Sequence, residues 1–184
     1  MRIVGGRFRG RTLQAPKSQA TRPTADRLRE ALFNILVHAY DDPIDGARVL
    51  DLFAGTGALG FEALSRGAGF VLFVDDGAEA RALLRANVEA LGVGGATKVY
   101  RRDATRLGPV NPLAPFSLAF LDPPYGKGLA ERALVAARDG GWLSPGAVAV
   151  VEEAVDAEFK TPERFEELER RRYDDTEFVF LRAR

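Results

Sequence analysis

The sequence predicts an α/β fold built on a mostly parallel sheet. Two observations predict it. Short apolar strands alternate with helical segments from Ala47 onward, and the first and fourth strands each run straight into a turn of unusual composition. One turn is rich in glycine, and the other reads Asp122-Pro123-Pro124-Tyr125.

Residues 1–14 set Ile3, Val4, Phe8 and Leu13 among glycines and arginines, the pattern of a basic β-hairpin or extended arm. Residues 15–23, with Pro16 and Pro23, read as a loop, and Thr24 is a suitable N-cap for a helix reaching about Ala39. Leu28, Leu32, Ile35 and Leu36 give that helix a buried stripe. The expected division is a basic arm over 1–23 and a catalytic domain over 24–184. Strands are then expected at Arg48–Phe53, Phe70–Val74, Lys98–Arg101, Phe116–Leu121 and Ala147–Val151. Helices are expected at 57–66, Ala78–Leu91 and Leu129–Ala137. By composition Glu163–Arg171 suits a charged helix before a strand at Phe178–Leu181. A turn at Tyr173-Asp174-Asp175-Thr176 would instead join two antiparallel strands, and the residues alone leave both readings open.

The 184 residues fit one core, and the chain has no cysteine and a single histidine, His38. Thiol chemistry, disulfides and a cysteine- or histidine-built metal site are therefore excluded. No apolar run is long enough to span a membrane and no apolar signal core stands at the N-terminus, so a cytoplasmic location is expected. The net charge of zero hides a polarity. Residues 1–35 carry eight basic groups against Asp26 and Glu30, hence +6, and the remainder must carry −6. Such a cluster points to a polyanion partner for the arm, with a solvated surface as the plainer reading.

In Asp51-Leu52-Phe53-Ala54-Gly55-Thr56-Gly57-Ala58-Leu59-Gly60, the glycines satisfy a dinucleotide-binding spacing that serves several cofactors. Asp51 narrows the choice. A carboxylate there repels a pyrophosphate but receives the ammonium of S-adenosylmethionine. Asp75 ends the second strand, where an acid holds a ribose diol. Asp103, followed by Ala104, is placed to accept from an adenine amine, unless it only shapes a surface turn. The expected cofactor residues are Asp51, Phe53, Gly55, Gly57, Asp75, Asp103 and Ala104.

Asp122, Pro123, Pro124 and Tyr125 are the expected catalytic residues. Two prolines stiffen the bend and remove two N–H donors, leaving an acceptor-rich turn beside a carboxylate. Such a turn suits an amine whose lone pair is delocalised into a ring. Acceptors at Asp122 and the Pro123 carbonyl would hold it, and Tyr125 would stack on the base, which must be unpaired or flipped out. Adenine-N6 methylation of DNA or RNA remains a rival, as does glutamine methylation, although that would usually place Asn at position 122. An NAD-dependent oxidoreductase is the rival from another class. It is opposed by Asp51 and by the lack of a well-placed catalytic base. A non-enzymatic RNA-binding module would not need these intact motifs.

The Asp51–Gly57 and Asp122–Tyr125 motifs, in this order, resemble the class I amino-methyltransferases of nucleic acids. Met1-Arg2-Ile3-Val4-Gly5-Gly6, Arg9-Gly10-Arg11, Arg22-Pro23-Thr24, Asp26-Arg27, Arg29-Glu30 and Leu32-Phe33-Asn34 are similar to one bacterial group, the small-subunit (16S) ribosomal RNA guanine-N2 methyltransferases. The resemblance implies a Rossmann-like, seven-stranded sheet with an antiparallel final hairpin, which favours strands near the C-terminus. It implies S-adenosylmethionine as methyl donor, no metal, and one guanine of small-subunit ribosomal RNA as target, in an assembled or assembling subunit. Many relatives carry Glu where this chain has Asp75. The arm then has a role, with Arg2, Arg7, Arg9, Arg11 and Arg22 contacting RNA phosphates and unpaired bases. A monomer is expected. His38 and Trp142 are read as surface and packing residues, and Glu152 and Glu153 either approach the site from a strand end or are solvated.

Overall fold

The structure, a computed structural model, describes residues 1–17 and 23–184. Helix α1 spans Pro23–Ala39, and Pro23 suits a first helical turn because that turn leaves its N–H groups without intrahelical partners. It starts one residue before the expected cap, Thr24. There follow β1 (Arg48–Leu52), α2 (Ala58–Ser65), β2 (Phe70–Val74), α3 (Ala78–Leu91) and β3 (Thr97–Tyr100). The chain continues through β4 (Phe116–Leu121), α4 (Leu129–Asp139), β5 (Leu143–Ala154), β6 (Phe165–Tyr173) and β7 (Thr176–Ala183). Each strand or helix expected from Arg48 to Val151 is present, with ends moved by a residue or two, except that β5 runs well past the expected span in both directions.

The strands form one sheet in the order β3-β2-β1-β4-β5-β7-β6. The pairs from β3 to β5 are parallel, and β7 runs antiparallel to both β5 and β6. Because β1 feeds outward to β2 and β3 before the chain returns to β4, the sheet reverses its order between β1 and β4. Such a reversal opens a crevice at the carboxyl ends of the two strands.

Period-two alternation sorts the core. Val49, Val71, Phe73, Leu118, Phe120, Val148 and Val150 face one cluster, with Phe33 and Leu36 of α1, Phe61 of α2 and Leu84 of α3. Leu50, Leu52, Leu72, Ala119, Leu121, Ala149 and Val151 face the other, with Ala133 and Leu134 of α4 and the fully buried Trp142. Trp142 packs as expected, its indole Nε1 donating to the Gly108 carbonyl at 2.7 Å. His38 is exposed.

Residues 165–183 are a strand pair, not a charged helix before a strand, and the turn at Asp174-Asp175 joins them. Helix-forming composition misleads here because β6 is an edge strand. Its glutamates and arginines are mostly exposed, and charge on an edge discourages further pairing. Its partner β7 is buried almost throughout.

The N-terminal segment is hairpin-like, closed by one antiparallel bridge between Arg2 and Thr12, and it is packed into the body. Ile3 and Leu13 lie in the first cluster. Glu62 of α2, wholly buried, accepts the backbone N–H groups of Val4 and Gly5, each at 2.9 Å. It also pairs with Arg29 at 3.2 Å and Arg66 at 2.9 Å. Arg29 is thus a buried structural cation that also reaches Asp26 and the Arg2 carbonyl, and it subtracts from the charge available to a partner. Removing a buried carboxylate with this many donors strands all of them. Glu62→Ala should cost about 3–5 kcal/mol in urea unfolding and lower hydrogen-exchange protection first at Gly10 and Leu13.

Candidate active site

The parallel register lines up the carboxyl ends of four strands. Val74 of β2 pairs with Leu52 of β1, Leu52 with Leu121 of β4, and Leu121 with Val151 of β5. The next residues are Asp75, Phe53, Asp122 and Glu152. Neighbouring strands stand about 4.8 Å apart, so these residues form a row along the crevice. Asp103 lies further out, three residues past β3.

The glycine turn is held by carboxylates from below. Phe53 leaves β1 in the left-handed region, at φ 57°. Gly57 has φ 81°, and a Cβ there would stand 2.5 Å from Phe61. At Gly60 a Cβ would stand 2.4 Å from Phe73, so only glycine lets α2 approach the sheet this closely. The Asp51 carboxylate, 1% exposed, accepts the Gly60 N–H at 3.0 Å. Burial holds its pKa well above the usual carboxylate range; the Gly60 N–H opposes this, and Asp75 adds to it. Asp75 accepts the Gly55 N–H and the Gly77 N–H, each at 2.9 Å. It therefore ties the glycine turn to the end of β2.

The other cofactor candidates divide. Gly55 is half-buried, and a Cβ there would meet nothing within 4 Å, so its outer side is open. Asp103 is exposed and accepts both the N–H and the hydroxyl of Thr105, at 2.9 and 2.7 Å. These bonds hold its carboxyl below the usual range. They make a local turn, the plainer of its two readings, and both engage one oxygen, Oδ1. The Ala104 methyl is packed in the second cluster, so only its backbone can face a ligand. The residues fit S-adenosylmethionine better than a dinucleotide. The acids Asp51 and Asp75 border the turn, Asp103 follows the next strand out, and residues 51–57 supply no basic side chain to a pyrophosphate.

The second turn stands beside the first. Asp122 is exposed to solvent, yet many protein atoms lie around its carboxyl. That enclosure, together with Glu152, Asp51 and Glu153, pushes its carboxyl well above the usual range. Pro123 is buried and Pro124 exposed. Tyr125 is 43% exposed, the only large apolar side chain left so open among the described residues. Its hydroxyl lies within hydrogen-bonding reach of Thr176 and Glu152, and the partial enclosure raises its pKa. A ring open on its face and anchored at its hydroxyl can serve as a stacking platform.

Glu152 and Glu153, open in the sequence between a site role and solvation, both lie at this edge, and Asn87 is a further residue that the sequence did not mark. Glu152 meets both Asp122 and Tyr125, and Glu153, 1% exposed, accepts the Gly126 and Ala154 N–H groups at 3.1 and 2.9 Å. The signal for Glu152 lies in the alternation itself, since it shares the face of Val150 as Asp122 shares that of Phe120. Asn87 of α3, 1% exposed, donates to the carbonyls of Thr56 and Gln14, each at 3.1 Å, and accepts the Gln14 N–H at 2.7 Å. It stitches the N-terminal segment to the glycine turn, where the Thr56 hydroxyl also meets the Met1 sulfur at 3.3 Å.

The arginines do not converge on the acidic row. Arg2, Arg7, Arg9 and Arg11 are exposed on the N-terminal segment. Arg7 lies over the Phe8 ring and Arg11 donates to the Ala90 carbonyl of α3 at 2.7 Å. Arg22 lies outside the described residues.

The chain is similar to known proteins in sequence and fold. A family model described as conserved hypothetical protein 95 matches residues 1–182. The ribosomal RNA small subunit methyltransferase D of Escherichia coli K12 is 41% identical over 157 residues, covering 85% of this chain and 76% of its own. The chain belongs to the methyltransferase D family. The Haemophilus influenzae member is 36% identical over 167 residues, covering 90% of this chain and 84% of its own. Among solved structures, the Escherichia coli protein yhhF, described as a methyltransferase, superposes with a TM-score of 0.83 at 32% identity. The match covers 100% of this chain and 97% of yhhF. The Haemophilus influenzae methylase HI0767 superposes at 0.81 with 33% identity, over 100% and 98% of the two chains. The sheet is thus that of the class I methyltransferases of this family. No helix among the described residues is long and apolar enough to cross a membrane.

The crowded acids have a cost that pH exposes. A carboxyl whose folded pKa is raised binds more protons folded than unfolded, so stability falls as pH rises from the ordinary carboxylate value through the raised one. Asp122→Asn removes that charge. The variant should melt higher than the parent at about pH 8, and the gap should close as pH falls toward about 5. A gap independent of pH in calorimetric scans would show that Asp122 carries no such cost.

Proposed function

We propose that the chain transfers a methyl group from S-adenosylmethionine to the exocyclic N2 amine of a guanine in small-subunit ribosomal RNA. The observation that carries this is the adjacency of the two turns, with Asp122 one strand away from the glycine turn and Tyr125 open beside it. The family's names supply the substrate class.

Asp75 would receive the ribose diol, Asp51 the ammonium directly or through water, and Asp103 with the Ala104 backbone the adenine edge. When bound, S-adenosylmethionine supplies a methyl group already activated on a sulfonium. The rest falls to this chain's own groups. Asp122 and the Pro123 carbonyl accept the amine's two N–H groups and orient its lone pair toward the glycine turn. Tyr125 stacks on the base, which must leave any helix to reach it. The proton that the amine gives up has the Asp122 carboxyl beside it, whose raised proton affinity suits it as acceptor.

RNA would be gripped by the exposed arginines of the first hairpin, Arg2, Arg7, Arg9 and Arg11, together with Arg22. The acidic site edge cannot hold phosphates, so the two faces divide the labour between gripping and chemistry. A single chain acting on an assembled or assembling subunit fits this division.

Tritiated methyl transfer to purified small subunits, free RNA, DNA and protein, followed by nucleoside analysis, tests the reading. Label should appear as N2-methylguanosine; label in adenosine or in glutamine would overturn it. Asp122→Ala should lower kcat at least about 100-fold while the calorimetric affinity for S-adenosylmethionine stays within about threefold. Ile3 and Leu13 lie in the core, so the arm is tested by substitution rather than deletion. Arg7→Gln with Arg9→Gln should weaken RNA binding and reduce the slope of log affinity against log salt by about 1 to 2. An unchanged slope would remove the arm from the interface.

A further inference from the structure

Glu152 lies on β5 just past the point where β4 stops pairing, so its flank toward the crevice is open. Its carboxyl meets the Asp122 carboxyl on one side and the Tyr125 hydroxyl on the other. The other carboxylates of this edge are tied to backbone. Asp51 accepts from Gly60, Asp75 from Gly55 and Gly77, and Glu153 from Gly126 and Ala154. Among the described residues Glu152 accepts from no backbone N–H. Its side chain is held only by the groups that would hold the base.

The two carboxyls share a hydrogen bond, so one proton sits between them, and their remaining oxygens present a row of acceptors to a base. The Watson–Crick edge of guanine presents the matching row, since the N2 amine stands next to the ring N1–H, and both are donors. Adenine presents its amine next to a bare N1, which is an acceptor. A carboxylate opposite that nitrogen would repel it and leave two lone pairs unmet.

We infer that Glu152 accepts the ring N1–H of the target guanine while Asp122 takes the N2 amine, so that Glu152 is the residue that selects guanine over bases with an unprotonated N1. The inference rests on the guanine reading above and adds to it a residue and a chemical criterion. Glu152 is then a specificity-determining residue, while Asp122 and Tyr125 hold the reacting amine and the ring.

The base 2-aminopurine separates the two roles, because it keeps the N2 amine and lacks the N1 proton. Small subunits would be reconstituted on RNA carrying either guanosine or 2-aminopurine at the position identified by tritium mapping. The parent protein should prefer guanosine by about 100-fold or more in kcat/KM, because a site built for a donor is left unpaired by its absence. Glu152→Gln can turn its amide N–H toward N1 and should narrow that ratio to within about tenfold. Glu152→Asp, which keeps the carboxylate, should retain a preference nearer the parent's. Each ratio is taken within one protein preparation, so a reduced folded fraction cancels. Competition binding of the two RNAs without cofactor should show the same narrowing.

A parent that uses both RNAs equally, or a Glu152→Gln protein that keeps the parent's ratio, would overturn the inference while leaving guanine methylation intact. Loss of transfer to both RNAs by Glu152→Gln with cofactor binding retained would also overturn it, placing Glu152 in the chemistry instead. A parent that labels no guanosine at all would instead bring down the reading on which the inference rests.

Discussion

The site depends on the parallel register that sets Leu52, Leu121 and Val151 abreast. Alternation along each strand then decides what faces what. Asp51, Asp75, Asp122 and Glu152 all continue the face that packs against α1, α2 and α3, because each stands an even number of residues from a core side chain on that face. A slip of one residue in any pairing would turn one of them to the face of α4. The apolar core and the acidic edge therefore share one constraint. The burial of Val49, Phe73, Phe120 and Val150 is what holds the carboxylates in place.

Concentrating acids at one edge opposes folding. Asp51 is buried without a cation, and Asp122 and Glu152 lie against each other. Compensation comes from backbone N–H groups that close the glycine turn onto Asp51 and Asp75, and from the apolar sheet beneath. The buried cation, Arg29, lies elsewhere, beside the half-buried Arg66. Arg29 and Arg66 neutralise Glu62, and that cluster fastens the N-terminal hairpin to α2. Asn87 carries the fastening on to the glycine turn. The basic hairpin and the cofactor edge are thus mechanically continuous, although their charges are opposite and their surfaces separate.

Much of this could be read in the amino-acid sequence. Strand and helix periods marked every element from α1 to β5, because each packs one face or two and carries the pattern that packing demands. Asp51, Asp75 and Asp122 were legible because each stands at or near a strand end, within a few residues of a glycine or proline. The last strands were not legible from residues alone. A charged edge strand such as Phe165–Tyr173 buries too little to show a period, and its composition is that of a helix. Its family resemblance resolved what its chemistry did not. For Glu152 the residues leave a site role and a solvated one equally open, and only the neighbouring strand's register shows what it faces. The fixed hairpin was also hidden. Nothing local in Arg29 or Glu62 announces a buried pair 33 residues apart in sequence. The charge count therefore overstated how much of the N-terminal positive charge is free for RNA.

A methyl donor seated on the glycine turn must point its reactive end along the strand row toward Asp122. A crystal structure with S-adenosylhomocysteine bound tests it most directly. Ribose hydroxyls are expected on Asp75, the homocysteine ammonium over Asp51, and the sulfur facing the gap between Asp122 and Tyr125. A ligand bound with its sulfur turned toward β3, or held away from the ends of β1 and β4 altogether, would contradict it.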